Sequence, residues 1–397
     1  MDTPSHYLVA TAGYPNFGDE FITASWLRFL AETAPDTDVW LDCPQPGVAQ
    51  LLFENLHPRL RITNTLWRAI WEAGDLVPSD VSKRVSDLVH NLGSPNYDLG
   101  LVKLRTAKSL HLLGGGYVNG IWPHHAALVS GMKAVKEITG AQLFATGQGL
   151  MPLVGTTSEA FELFDGFDHV SVRDAESAQA YSLQLGIDDA FLGAAAETAK
   201  AVNGPAAMFV CIQSDMNDEG RFSDIVAAAR VHIRAAVDQG KKVYYLEAIP
   251  GIDRPAYDLL SDLIPEEDFL PFTRVWEEGL PLGSNHVWIT TRFHFHLLAS
   301  AAGARGIAYG VKQGYYDIKH TSLISLGSGW ALDTPDAPVN KIPPGVEALR
   351  TKLGKLTDQK RAEALKLYPR SGRVEDPQSK GSSLNALRRF VPSLVSR

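Results

Sequence analysis

In the stretch "ITTRFHFHLLASAAG" (289–303), one arginine and two histidines sit in an otherwise apolar run. Burying an unpaired guanidinium is costly, so Arg292 needs a protein carboxylate or an anionic ligand beside it. With a strand over 286–292 and a helix over 296–303, Arg292, Phe293 and His294 occupy the turn between them. That turn lies at the carboxyl end of a strand, where open α/β sheets bind ligands. Lys312 follows the next apolar run, "RGIAYGV" (305–311). Adjacent strands would then bring Arg292, His294 and Lys312 to one mouth, a local positive focus suited to an anion. A zinc site is disfavoured, because His294 and His296 have no cysteine or carboxylate close by to complete a ligand set. His296 reads as a hydrogen-bonded core histidine.

Four glycine-containing turns share the same logic. "GYPNFGDEF" (13–21) opens a helix after the first strand, and its amides near Asn16 and Gly18 are available to a polar or anionic ligand. Asp19 and Glu20 there either favour the helix N-terminus or meet a substrate hydroxyl and move a proton. "LLGGGYVNG" (112–120) ends a strand in Gly114, Gly115 and Gly116, whose amides could form an anion nest, although the P-loop lysine and the G-x-G-x-x-G spacing are both missing. In "ATGQGLMP" (145–152), Gln148 is either a ligand-binding amide or part of a tight turn. In "SVRDAES" (171–177), Arg173 either pairs locally with Asp174 or reaches an anionic substrate, and Asp174 can also cap the next helix.

These turns need a scaffold of strands and helices. Apolar runs at 6–13, 39–43, 109–116, 141–149 and 168–174, and again at 206–214, 241–249, 285–291 and 305–311, read as parallel strands buried on both faces. Between them, Ile22, Trp26, Phe29 and Leu30, then Leu128, Met132 and Val135, then Ile225, Ala229, Ile233 and Ala236, mark helices with one core-facing stripe. The fold class expected is α/β, with two Rossmann-like domains facing across a cleft: residues 1–192, a linker at 193–205, a second domain at 206–370 and a tail at 371–397. The 397 residues are 45% hydrophobic and 21% charged, which suits two globular domains. A net charge of −8 argues against nucleic acid as a partner. Two cysteines, Cys43 and Cys211, each lie in an apolar run, the pattern of buried thiols in a reducing compartment. With no signal-like or membrane-spanning run, a cytoplasmic location is expected, leaving peripheral membrane contact and self-association open.

Taken in order, "GYPNFGDEFITASWLRFL", "LHLLGGGYVNG", "ATGQGLMPL", "SVRDAESAQAYSLQLG" and "TTRFHFHLLASAAGARGIAYGVK" resemble the polysaccharide pyruvyl transferase family over most of residues 7–325. The resemblance implies a fold similar to the GT-B glycosyltransferases, with residues 1–192 as the expected acceptor side and 206–370 as the expected phosphoenolpyruvate side. It also implies a reaction in which phosphoenolpyruvate caps a sugar with a pyruvate ketal, releases phosphate and uses no further cofactor. Arg292 and His294 match the family's Arg-x-His element, with Phe293 where leucine is usual, and Lys312 falls on its downstream lysine. After Gly186, "DDAFLGAAAETAK" lacks a clear version of the family's proline-aspartate element, which leaves the inter-domain face and the acceptor sugar, lipid- or nucleotide-linked, unassigned. On this reading His294 is the acid or a phosphate ligand, and Asp19 or Glu20 is the rival acid or the base. Arg292, Lys312 and Arg173 hold the donor's phosphate and carboxylate. The alternatives are a glycosyltransferase of the same fold with a nucleotide-sugar donor, and a non-catalytic glycan-binding protein.

Overall fold

The computed structural model describes residues 5–201 and 204–370. Two parallel sheets organise them. The first contains β1 Ser5–Val9, β2 Val39–Asp42, β3 Leu60–Thr63, β4 Ala107–Leu112, β5 Gln142–Gln148, β6 His169–Val172 and β7 Gln184–Leu185, in the order β3-β2-β1-β4-β5-β6-β7. The second contains β8 Ala207–Cys211, β9 Lys242–Leu246, β10 Phe269–Leu270, β11 Val287–Thr290, β12 Arg305–Tyr309 and β13 Ala331–Asp333, in the order β10-β9-β8-β11-β12-β13. In each sheet the chain starts in the middle, winds to one edge and returns to build the other. The reversal falls between β1 and β4 and between β8 and β11, and it leaves a crevice beyond the strand ends.

The nine apolar runs coincide with β1, β2, β4, β5, β6, β8, β9, β11 and β12. Strands β3, β7, β10 and β13 were not signalled, and they are the four sheet edges. Edge strands are covered less completely, so their sequences need not be apolar throughout: β7 is exposed, and β3 and β10 contain no fully buried residue. The three helical stripes lie in Phe17–Thr33, Ala126–Thr139 and Arg221–Asp238.

Two expected boundaries move. The segment read as a linker at 193–205 is helical through most of its first half, in the helix Phe191–Thr198, whose Phe191 and Ala194 are buried. Its alanines are small enough to sit tightly between neighbouring helices, whereas composition alone suggested a polar connector. The last described helix, Ala348–Leu367, does not stay with the second sheet. It buries a stripe of Leu349, Leu353, Leu356, Lys360 and Ala364 and crosses back to the first unit, where Tyr368 meets His111 and Glu363 meets His169. One apolar cluster accordingly runs through both units, joining Leu8 and Trp26 to Phe295, Trp288 and Leu349. The tail expected at 371–397 lies outside the described residues. Among those residues no helix is long and apolar enough to cross a membrane.

Candidate active site

A cavity of about 440 Å³ opens between the two units. Its walls come from the loops after β1 and β4 on one side and after β8 and β11 on the other, so it joins the switch points of both sheets. Two helices also aim their first turns at it: Phe17–Thr33, capped by Asn16, and Phe293–Ala301, with Arg292 at the cap position. Their partial positive ends favour an anion between them. The second helix starts at Phe293, earlier than the sequence suggests, which puts His294 in its first turn.

Three cations reach the cavity. Arg292 donates from both Nε and Nη2 to Asp253 Oδ1, and Asp253 Oδ2 accepts from the amides of Ala248 (2.7 Å) and Ile249 (2.9 Å). Burial opposes the guanidinium charge, but Asp253 more than restores it. Arg173 pairs with Asp188 (2.7 Å) and lies over the Phe293 ring at 4.6 Å, rather than pairing with Asp174, which caps its own helix by accepting from Ser177 N. The third is Lys319, in the helix Tyr316–Leu326 after β12, a residue not among the sequence candidates. Among the described residues its Nζ makes no hydrogen bond or ion pair; it sits over the ring of Tyr315 at 3.4 Å. Burial and the neighbouring Arg173 push its ammonium well below the usual lysine range, with Asp19 opposing in part. An amine so placed gains most from an arriving anion.

His294 Nε2 lies 3.5 Å from Asp188 Oδ1, a contact between the two units. Burial works against the Asp188 charge, but His294 and Arg173 hold that carboxyl far below the usual range, so it stays ionised. Asp19 faces the same space and accepts from Asn16 Nδ2 at 2.8 Å. Burial raises its carboxyl above the usual range, against the pull of His294, Lys319 and Arg173. A raised carboxyl among cations is poised to give up a proton.

The other expected residues separate by position. Asn16, Gly18 and Gly116 line the cavity. A Cβ on Gly18 would lie 1.8 Å from His294 Nδ1, and one on Gly116 would lie 2.9 Å from Lys319 Nζ, so both glycines exist to let those groups approach. Glu20 does not line the cavity: it is fully buried and accepts from the Gly13 amide at 2.8 Å, shaping the turn. Within the glycine run the Gly114 amide is already taken, donating to Asp189 Oδ2 at 2.9 Å, and the Gly115 carbonyl accepts from the Gly149 amide. Gln148 is also turned inward, donating to the carbonyls of Leu112 and Leu113. Lys312 is outside the cavity lining and lies 3.4 Å from Asp218, because the chain turns away at the end of β12 before Lys319 returns. Tyr315 and Tyr316, four and three residues before Lys319, were the available signal for it: on a helix they share a face with the lysine. His296 is buried against Ser328, His320 and Trp330. Among the described residues no cluster of histidine, cysteine and carboxylate could hold a metal ion.

Two parallel-sheet α/β units with one cavity across their switch points define a two-domain fold of the GT-B kind. A Listeria monocytogenes protein assigned as a UDP-N-acetylglucosamine 2-epimerase is similar over 92% of this chain and 92% of its own, at 10% identity and a TM-score of 0.50. The UDP-GlcNAc 2-epimerase of Methanocaldococcus jannaschii, solved with UDP-GlcNAc and UDP, is similar over 90% of this chain and 93% of its own, at 12% identity and a TM-score of 0.49. For a Siraitia grosvenorii UGT transferase solved with UDP, the shares are 91% and 94%, at 12% identity and a TM-score of 0.43. At such identities the likeness concerns the fold alone. A comparison with curated proteins gave no match. The polysaccharide pyruvyl transferase profile matches residues 16–313, and the chain belongs to that family.

Proposed function

We propose that the protein moves the pyruvyl group of phosphoenolpyruvate onto two hydroxyls of a sugar in a glycan or glycolipid precursor, closing a pyruvate ketal and releasing phosphate. The observation that carries this reading is the convergence of Arg173, Arg292 and Lys319 on a cavity that also holds a carboxyl raised by burial, Asp19. Phosphoenolpyruvate has a phosphate and a carboxylate on one enol carbon, so its ground state calls for several cations in a small volume. In an otherwise acidic chain, such a cluster supports a doubly anionic ligand better than a neutral one.

The reaction needs an acid first. Asp19 gives its proton to the donor's methylene carbon, and the adjacent C2 acquires oxocarbenium character. The first sugar hydroxyl forms a C2–O bond and loses its proton. The bond from C2 to the phosphate oxygen then breaks, and the second hydroxyl adds at the same carbon with loss of its own proton. One of the two hydroxyl protons replaces the one Asp19 gave; the other leaves on hydrogen phosphate. Arg292, Lys319 and Arg173 neutralise the leaving group, and His294, steadied by Asp188, completes the phosphate's surroundings. This reaction needs no cofactor beyond the donor.

The test is incubation with phosphoenolpyruvate and a panel of galactosyl, mannosyl and glucosyl acceptors, with mass analysis for the ketal and assay of released phosphate. Asp19→Asn is expected to lower turnover about a hundredfold. Phosphate release at the wild-type rate by that variant rejects Asp19 as the acid. Thermal stabilisation by a nucleoside diphosphate and none by phosphoenolpyruvate would point instead to a nucleotide-sugar donor.

A further inference from the structure

On the side of the first unit, the same cavity is walled by Trp67, Trp71, Trp122 and His125, none of which has a part in the steps above. Trp122 and His125 are nearly parallel, at 11° with centroids 6.2 Å apart. Trp67 meets His125 edge-on at 4.9 Å and tilts toward Trp71 at 6.2 Å, and Trp71 is 49% exposed at the rim. The four side chains bring no lysine, arginine or carboxylate to this wall, whereas the cations of the cavity stand with Arg173, Arg292 and Lys319. The cavity, about 440 Å³, is also much larger than three carbons and a phosphate require.

His125 has a defined tautomer. Its Nδ1 lies 2.8 Å from the Tyr117 carbonyl oxygen, which can only accept, so Nδ1 carries the hydrogen. The ring's Nε2 is left with its lone pair, and among the described residues it makes no hydrogen bond. Burial lowers the imidazole below its usual range, with the Tyr117 carbonyl opposing, so the ring is neutral near pH 7.

We infer that this wall is the acceptor subsite, where Trp71 and Trp122 take the C–H face of a pyranose ring, Trp67, buried in the core, backs His125 and Trp71, and His125 Nε2 is the base that accepts a hydroxyl proton from the sugar. Aromatic faces are negative and attract the C–H edge of a sugar, while its hydroxyl edge needs a neutral acceptor. As the hydroxyl oxygen bonds to C2 of the donor, its proton passes to Nε2. His125 hands that proton to the departing phosphate and is neutral again for the second hydroxyl, whose proton returns through solvent to Asp19. The inference rests on the proposed reaction and adds to it which wall holds the sugar and which group takes the proton.

The test combines binding and kinetics. Neutral methyl glycosides and disaccharides of galactose, mannose and glucose are titrated against the full chain while tryptophan fluorescence is followed, and ketal formation is measured with the best of them. Trp71→Ala, at a half-exposed position, is expected to raise the acceptor KM about tenfold and leave the phosphoenolpyruvate KM unchanged. His125→Gln is expected to lower kcat about a hundredfold with both KM values near wild type. A saturable fluorescence change lost in Trp71→Ala supports the wall; no saturable change with any sugar, or one produced by uridine diphosphate alone, overturns it. Sugar binding at this wall without ketal formation rejects the proposed reaction and the base, but keeps the subsite. Ketal formation with wild-type constants in both variants does the reverse.

Discussion

Lys319 and Lys312 separate a residue's type from its address. Both follow β12, but only Lys319 returns to the cavity, where a tyrosine ring lies beneath its ammonium and, among the described residues, no carboxylate is paired with it. Lys312 is partly exposed beside Asp218, and such surface pairs contribute little. Lys319→Met is expected to lower kcat/KM for phosphoenolpyruvate by about a hundredfold or more, whereas Lys312→Met stays within about twofold of wild type. Steady-state kinetics on the two variants decides between them; equal losses would return the role to Lys312. Arg292, His294 and Asp19 were legible in the sequence because each lies in the turn, or in the first helical turn, that follows a strand. Lys319 was not, since its place depends on how the chain turns after β12.

At the scale of elements, the site is made where two helices from different units point their first turns at one another. Gly18 and His294 meet there, and the geometry sets two effects against each other. Alanine is favoured over glycine within a helix by about 1 kcal/mol, which is the most that Gly18→Ala could gain. The added Cβ would nevertheless fall 1.8 Å from His294 Nδ1, which must displace the ring. The expected outcome is a thermal midpoint at or below wild type, because overpacking costs about 1–3 kcal/mol, with turnover reduced at least tenfold, checked by calorimetry and ketal assay on the same preparation; full activity would show that His294 has room to spare. Central strands were readable as apolar runs for the reason that the edge strands were not: burial on both faces gives a continuous apolar run, whereas β3, β7 and β10 are short and at most partly buried.

For the whole molecule, the decisive connection is the crossing helix Ala348–Leu367. Its Lys360, completely buried, lies 2.9 Å from Asp189, which also accepts from Trp26, Thr146 and the Gly114 amide. Asp188, the next residue, holds Arg173 and His294. Removing one partner of a buried ion pair strands the other, so Lys360→Met is expected to cost about 3–5 kcal/mol, read from denaturant unfolding. Glu363 of the same helix is bonded to His169 and Lys360; against the effect of burial, these partners lower its carboxyl from 4.5 to about 2. A carboxyl depressed in the folded state contributes stability that is fully present above its unfolded value and is lost as pH falls through the folded one. Asp188 shifts in the same direction. The thermal midpoint should therefore fall as pH drops from 4.5 to about 2, and Glu363→Gln should flatten that decline. An unchanged acid limb in the variant would remove Glu363 from the account.

The sequence by itself determined the two α/β units, their central strands, the family and the loops that carry Arg173, Arg292, His294 and Asp19, because hydrophobic period and glycine turns are local properties of the chain. Tertiary structure decided which of the candidates share a space. It turned Glu20 and Gln148 into the scaffold, set Lys319 in place of Lys312, tied Asp188 to His294 across the cleft and gathered three tryptophans and a histidine into one wall. Those outcomes depend on contacts between residues far apart in the chain, and no local pattern encodes the direction in which a side chain leaves its element once two sheets have met.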